Sequence, residues 1–248
     1  MKKSMKKIFF SLLLIGTIQS FGQTNFHPAV KIEFEKVVYS KQLYMELYQE
    51  WYEQFKAMIP DQVVSYYEFV GTTEKSLFKE SKEAQLNPRS WYQPLADKNV
   101  VYNDFTTGRT ITQKPVFEET FLVDDSLLNI RWKLTADTRT IAGYDCRKAI
   151  GFIHDTMAVF AFYTDEILVS GGPEGIHGLP GMILGMGIPR LHTTWFATKV
   201  ETNGVPTSKI LPATKGTKVD RRKMISSLDN VLKNWGKHGR NMIMNFVI

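Results

Sequence analysis

The chain has 248 residues, 43% hydrophobic and 23% charged, with one cysteine and a formal net charge of +6. Its first 22 residues carry four lysines and no acid, so the remainder stands near +2, and its densest basic run is Arg221-Arg222-Lys223. That balance excludes a nucleic-acid footprint, and a lone cysteine excludes an internal disulfide framework, so one domain must be stabilised by burial.

The N-terminus reads as a secretory signal peptide over 1–22. Lys2, Lys3, Lys6 and Lys7 precede the short apolar run Ile8 to Ile15, and Ser20-Phe21-Gly22 places small residues for cleavage before Gln23. The apolar run is too short for a membrane span, and no transmembrane segment is expected after cleavage. Residues 23–248 are then expected to fold as a single domain, secreted to the periplasm or cell envelope.

Lys31 to Ser40 reads as a strand. From Leu43 to Phe55, the apolar residues Leu43, Tyr44, Leu47, Tyr48, Trp51, Tyr52 and Phe55 recur at helical spacing, with Pro60 bounding the end. Short strands with polar turns follow: Val63 to Val70, Ser76 to Lys82, Asn99 to Phe105, Arg109 to Phe117, Glu119 to Val123 and Leu128 to Leu134. The series continues with Thr140 to His154, Met157 to Tyr163 and Leu191 to Glu201, and Asn203-Gly204 marks a hairpin turn. A last helix is expected from Lys218 to Trp235, with capping-box spacing at Thr217 and Asp220 and a stop at Gly236. The pattern predicts an α+β fold: one domain, a curved antiparallel meander sheet (an open half-barrel) packed on the N-terminal amphipathic helix, with a C-terminal helix.

Between the last strands lies GGPEGIHGLPGMILGMG, Gly171 to Gly187, with seven of the chain's 17 glycines. It lacks the Lys-Ser/Thr of a phosphate loop and the helix that a dinucleotide site requires. Gly172, Gly175, Gly178 and Gly181 are expected to serve backbone geometry, with Pro173 and Pro180 stiffening the crossing. Ser170 lacks the glycine of a nucleophile elbow. The neighbours Asp124-Asp125 and Asp165-Glu166 read as turn residues. His177, Met182, Met186 and His192 offer soft donors for Cu(I), with Cys146 as a further one. Tyr48, Trp51 and Tyr52, with Tyr44, offer an aromatic wall for a ligand.

Gly178-Leu179-Pro180-Gly181-Met182-Ile183-Leu184 resembles the signature of the GLPGLI family of exported Bacteroidota proteins. Trp132-Lys133-Leu134, Thr140 to Ala149, Tyr163 to Ile167 and Gly172-Pro173 are similar to its other motifs, in order. Met182 stands for a usual Leu, Phe162 for a common Trp, and Leu168 for a common Pro. The resemblance implies export and makes Cys146 part of a recurring pattern, and it brings no catalytic residues. Residues and resemblance together lead to a non-enzymatic binding or carrier module for an apolar small molecule or a cell-envelope protein, without a cofactor. A periplasmic copper-binding protein and a hydrolase are the alternatives.

Overall fold

The computed structural model describes residues 27–92 and 94–248; the leader expected at 1–22 and its cleavage site lie outside the described residues. Among these, twelve strands form one hydrogen-bonded sheet. They are β1 (Ala29–Val38), β2 (Val63–Thr72), β3 (Lys75–Lys82), β4 (Val100–Asp104), β5 (Arg109–Val116) and β6 (Glu119–Ser126). There follow β7 (Lys133–Ile141), β8 (Tyr144–Ile153), β9 (Met157–Thr164), β10 (Met182–Ile188), β11 (Thr193–Glu201) and β12 (Thr217–Val219). Across the sheet the order is β12-β6-β5-β4-β3-β2-β1-β11-β10-β9-β8-β7, antiparallel throughout except β12 on β6. Two meanders, β7 to β11 and β1 to β6, are thus joined where β1 pairs with β11.

One connection forces this sheet to curl. β6 and β7 lie ten strand positions apart, which in a flat sheet is about 48 Å at ~4.8 Å per strand. Residues 127–132 join them, and from Ser126 to Lys133 an extended chain reaches only about 25 Å. The two ends of the sheet therefore approach each other around a hollow.

The connection itself corrects the expected strand at Leu128 to Leu134. Ile130 and Trp132 pack over Gly151 of β8, where a Cβ would come within 2.6 Å of Ile130 Cγ2, so these residues cover the sheet instead of joining it. The strand expected from Thr140 to His154 is also two, because Ala142 and Gly143 both take positive φ (50° and 86°) and turn β7 into β8. Asn203-Gly204 leads into an irregular stretch and then β12, so the expected hairpin does not form. Met182–Ile188, read only as part of the crossing, is a central strand buried at every position.

The aromatic stripe forms two helices, α1 (Ser40–Leu47) and α2 (Gln49–Phe55), where one was expected. Tyr48 breaks the helix at φ −138°, ψ 44°, and turns its ring inward to 4% exposure. Near the other end, β12 occupies the expected helix start, and α3 (Arg221–Leu232) begins instead at Asp220, whose carboxylate accepts from Lys223 N at 2.7 Å. Gly236, at φ 54°, ends one turn and opens α4 (Gly236–Ile243).

Residues 165–181 cross the hollow. The crossing is hydrogen-bonded beside β10 through Ile183 N to Gly171 O and Met182 N to Ile167 O. At its far side it reaches β4, where Asn103 Nδ2 donates to Gly175 O at 3.0 Å. Ile167, Val169, Ile176 and Leu179 join Phe69, Phe78 and Val101 in the main core. The glycine spacing follows from this path: Gly175, Gly178 and Gly181 take φ of 73°, 93° and 140°, a region that side chains disfavour.

Candidate functional site

The helix break at Tyr48 builds one wall of a site. Leu43 and Tyr44 of α1 pack with Val38 and Tyr92, and Tyr48 follows them into the same cluster. Trp51 of α2 stacks on Tyr48 at 5.3 Å and on His238 of α4 at 4.8 Å, and meets Trp91 edge-on at 5.3 Å. Asn241 Nδ2 of α4 donates to Leu47 O at 3.0 Å, tying the clasp across the break. Aromatic pairs of this geometry each contribute about 0.5–1.5 kcal/mol beyond their burial.

Behind the aromatic wall lies a cavity of about 50 Å³. The polar wall of its lining comes from distant parts of the chain, among them Lys36 of β1, Asn99 before β4, Glu174 of the crossing and Trp195 of β11. Lys36 shares the inward face of β1 with Ile32, Phe34 and Val38, because alternate residues of a strand face the same way. Its ammonium pairs with Asp97 at 2.5 Å and stands 5.5 Å and 5.4 Å from the Tyr67 and Trp195 ring centroids. Burial opposes the charge, but Asp97 and then Glu174 hold the ammonium above its ordinary value.

Glu174 is 5% exposed and sits at φ 53°, strained for a residue with a side chain. Burial pushes its carboxyl above the usual range, against the pull of Lys36 and Lys114. Asn99 Oδ1, Glu174 Oε2 and Trp195 Nε1 are fully buried and, among the described residues, have no hydrogen-bond partner. Lys114 of β5, on the far side of Glu174, donates to the Ile248 main-chain oxygen. Burial depresses it to about 8.

The Lys114 shift has a consequence for stability. Its folded value lies below the ordinary 10.5, so the unfolded chain holds this proton more tightly. The contribution is fully present above pH 10.5 and is lost as pH falls through about 8. Lys114→Met cannot titrate here, so thermal melts between pH 8 and 10.5 are expected to show the wild type gaining on this variant as pH rises. A difference independent of pH would mean that Lys114 keeps an ordinary proton affinity.

Of the aromatic residues singled out from the sequence, Tyr48 and Trp51 line the cavity, as does Tyr44; Tyr52 packs in the same cluster without reaching it. The four soft donors lie in different surroundings. His177 is set against Phe105 at 5.7 Å, with its pKa lowered by burial. Met182 and Met186 are wholly buried in β10, about 13 Å apart at ~3.3 Å per residue. His192 Nε2 lies 2.7 Å from Glu46 Oε2. Among the described residues, no three His, Cys, Asp or Glu side chains gather as a metal ion needs. Cys146 is wholly buried, and burial raises its thiol to about 11, which suppresses the reactive thiolate.

Sequence reading missed the polar wall. A signal existed for Lys36, at an inward position of the β1 alternation, and for Trp195, between the inward Thr193 and Ala197 of β11. No local pattern marks Asn99 or Glu174.

Fold and site define an α+β domain in which a large open antiparallel sheet carries a small cavity lined by both aromatic and polar residues. Residues 152–185, from the end of β8 through the crossing into β10, match the model of a family described as "Protein of unknown function (Porph_ging)". No curated protein matches the chain. The structure of PNGF-II in its P21 crystal form is similar with a TM-score of 0.52 at 14% identity, over 85% of this chain and 34% of that one. Its C2 form gives 0.48 at 14% identity, over 87% and 32%. The chain thus spans about a third of the PNGF-II chain, and the likeness is one of fold. Among the described residues, no helix is long and apolar enough to cross a membrane.

Proposed function

We propose that the chain is an exported, non-enzymatic binding module of the GLPGLI type, which takes an apolar or aromatic group of a small molecule or envelope partner against Tyr48 and Trp51. The charged leader with its small-residue cleavage site supports export, and the motif Gly178 to Leu184 supports the family. The observation that carries the binding reading is the cavity itself. Buried polar atoms without partners each disfavour folding by about 1–3 kcal/mol, and three of them belong to residues that line this one small space. Groups that cost stability and converge on one cavity are where function is expected to override packing.

The size of the cavity limits what enters. About 50 Å³ admits a group of a few atoms, so a larger body must lie at the aromatic mouth. α2, which forms that mouth, has no buried residue and meets α1 at the irregular Tyr48, so it is the element placed to yield.

The test uses the full chain expressed with its leader and recovered from the periplasmic fraction, with its mass showing an N-terminus at Gln23. N-phenyl-1-naphthylamine, an uncharged apolar dye, is expected to brighten on titration with this protein. Trp51→Ala is expected to weaken that binding by about tenfold, the effect of losing about 1.4 kcal/mol of aromatic contact. Absence of dye binding, or binding indifferent to Trp51, would remove the reading.

A further inference from the structure

Residues 244–248, which follow α4, enter the hollow and divide its free space in two. Ile248 lines the cavity beside the aromatic wall and also a second one of about 20 Å³, and Glu174 belongs to the lining of both. Phe246 anchors the segment at 2% exposure among Val116, Phe121, Met224 and Leu228. Val247 and Ile248 are only half-buried, though both pack on the main core. Among the described residues neither makes a backbone–backbone hydrogen bond, and the Ile248 main-chain oxygen accepts from the buried Lys114 ammonium. Apolar packing and one charge-assisted bond thus hold these two residues, and a ligand of the same chemistry can replace both.

The charged side chains that line the two cavities are Lys36, Lys114, Arg221 and Glu174. Lys36 has its counter-charge in Asp97 at 2.5 Å, and Arg221 faces Asp125 at 3.7 Å. Burial shifts Glu174 toward its neutral form, while Lys114, with its value near 8, is mostly charged at pH 7. Asn103, Thr110 and Thr112 line the second cavity with Lys114; such groups both donate and accept, so they do not choose the sign of a head group. The balance around Lys114 therefore favours an anion.

We propose that Val247 and Ile248 are a built-in occupant of a larger ligand chamber, displaced by an apolar molecule that ends in a carboxylate. The inference rests on the binding reading and gives its ligand a chemical class. The segment is the template, with apolar side chains leading to an oxygen that Lys114 receives. A carboxylate in that place supplies a full counter-charge to Lys114, with Arg221 as the second positive group. An ammonium head would stand against both cations, and an alcohol brings no charge. The apolar chain then follows Ile248 into the first cavity and passes Leu43 and Tyr48 to the mouth at Trp51.

Calorimetric titrations of the full chain at neutral pH compare decanoate with decan-1-amine, both below their micellar concentrations. Decanoate is expected to bind about tenfold or more tighter, and Lys114→Met is expected to erase most of that preference. A chain shortened to end at Phe246 is expected to bind decanoate about tenfold tighter than the full chain, because no occupant has to leave first. Carboxypeptidase Y tests the same displacement in the unshortened chain. Release of Ile248 and Val247 is expected to rise about tenfold with decanoate present, beyond any change seen with a free peptide of residues 244–248. Release unchanged by decanoate, or equal affinity in the full and shortened chains, would overturn the displacement. Equal affinity for the two probes, or a preference that survives in Lys114→Met, would overturn the head-group assignment. Binding of N-phenyl-1-naphthylamine without binding of decanoate would overturn this inference alone, and failure of both would remove the binding reading as well.

Discussion

Asp97→Ala is expected to destabilise the protein by about 3–5 kcal/mol, a large share of the ~5–15 kcal/mol that holds a domain folded. Lys36 and Asp97 have side chains only 6% exposed, and their 2.5 Å contact lies inside the curled sheet. Removing the carboxylate leaves an ammonium buried against Tyr67 and Trp195, whose ring faces offer it far less than an anion does. Glu174 is the next negative group around Lys36, but its own burial favours the neutral acid. The double variant Lys36→Met with Asp97→Ala is expected to recover most of the loss, since a buried pair replaced by apolar groups is often neutral. Urea denaturation of the wild type, both single variants and the double variant measures the coupling directly. A single-variant loss under about 1 kcal/mol would mean that Lys36 reaches water, and the interior polar wall would have to be redrawn.

Gly181→Ala comes second, with an expected loss of about 3 kcal/mol or more. Gly181 sits at φ 140°, and a Cβ there would lie 2.0 Å from the Thr164 carbonyl oxygen. Neither partner can yield cheaply, because both are backbone: Met182, the next residue, bonds to Ile167 O and begins β10. Gly204→Ala is the control. Its φ of 64° is also positive, but nothing lies within 4 Å of the added carbon, so its cost should stay near 1 kcal/mol. Denaturant melts of the two variants are expected to separate clearly. Equal losses would show that the crossing shifts to accept the methyl group, and that its path through the hollow is not held by this contact.

Much of the strand content was legible because most strands carry their own evidence, the two-residue alternation of inward and outward side chains. That evidence fails where burial is not alternating. β10 is buried at every position, so it shows no periodicity and reads as a continuation of the glycines. Ile130 and Trp132 show the converse failure: they mimic alternation but are a loop whose side chains cap β8. The break at Tyr48 was hidden for a third reason, since an unbroken stripe and a kinked one have the same residue spacing.

By itself the sequence determined what local physics controls. The alternation of β1, the aromatic spacing from Tyr44 to Phe55, and the need for glycine where the backbone turns to positive φ were all readable in order along the chain. The tertiary structure alone decided the site. Lys36, Asn99, Glu174 and Trp195 are separated by up to 159 positions and meet only because the β6–β7 connection curls the sheet and the glycine crossing runs through the hollow. Whether a charge is buried, paired or left without a partner depends on that closure. The free energy of burial belongs to the assembled surroundings and not to any short stretch of residues.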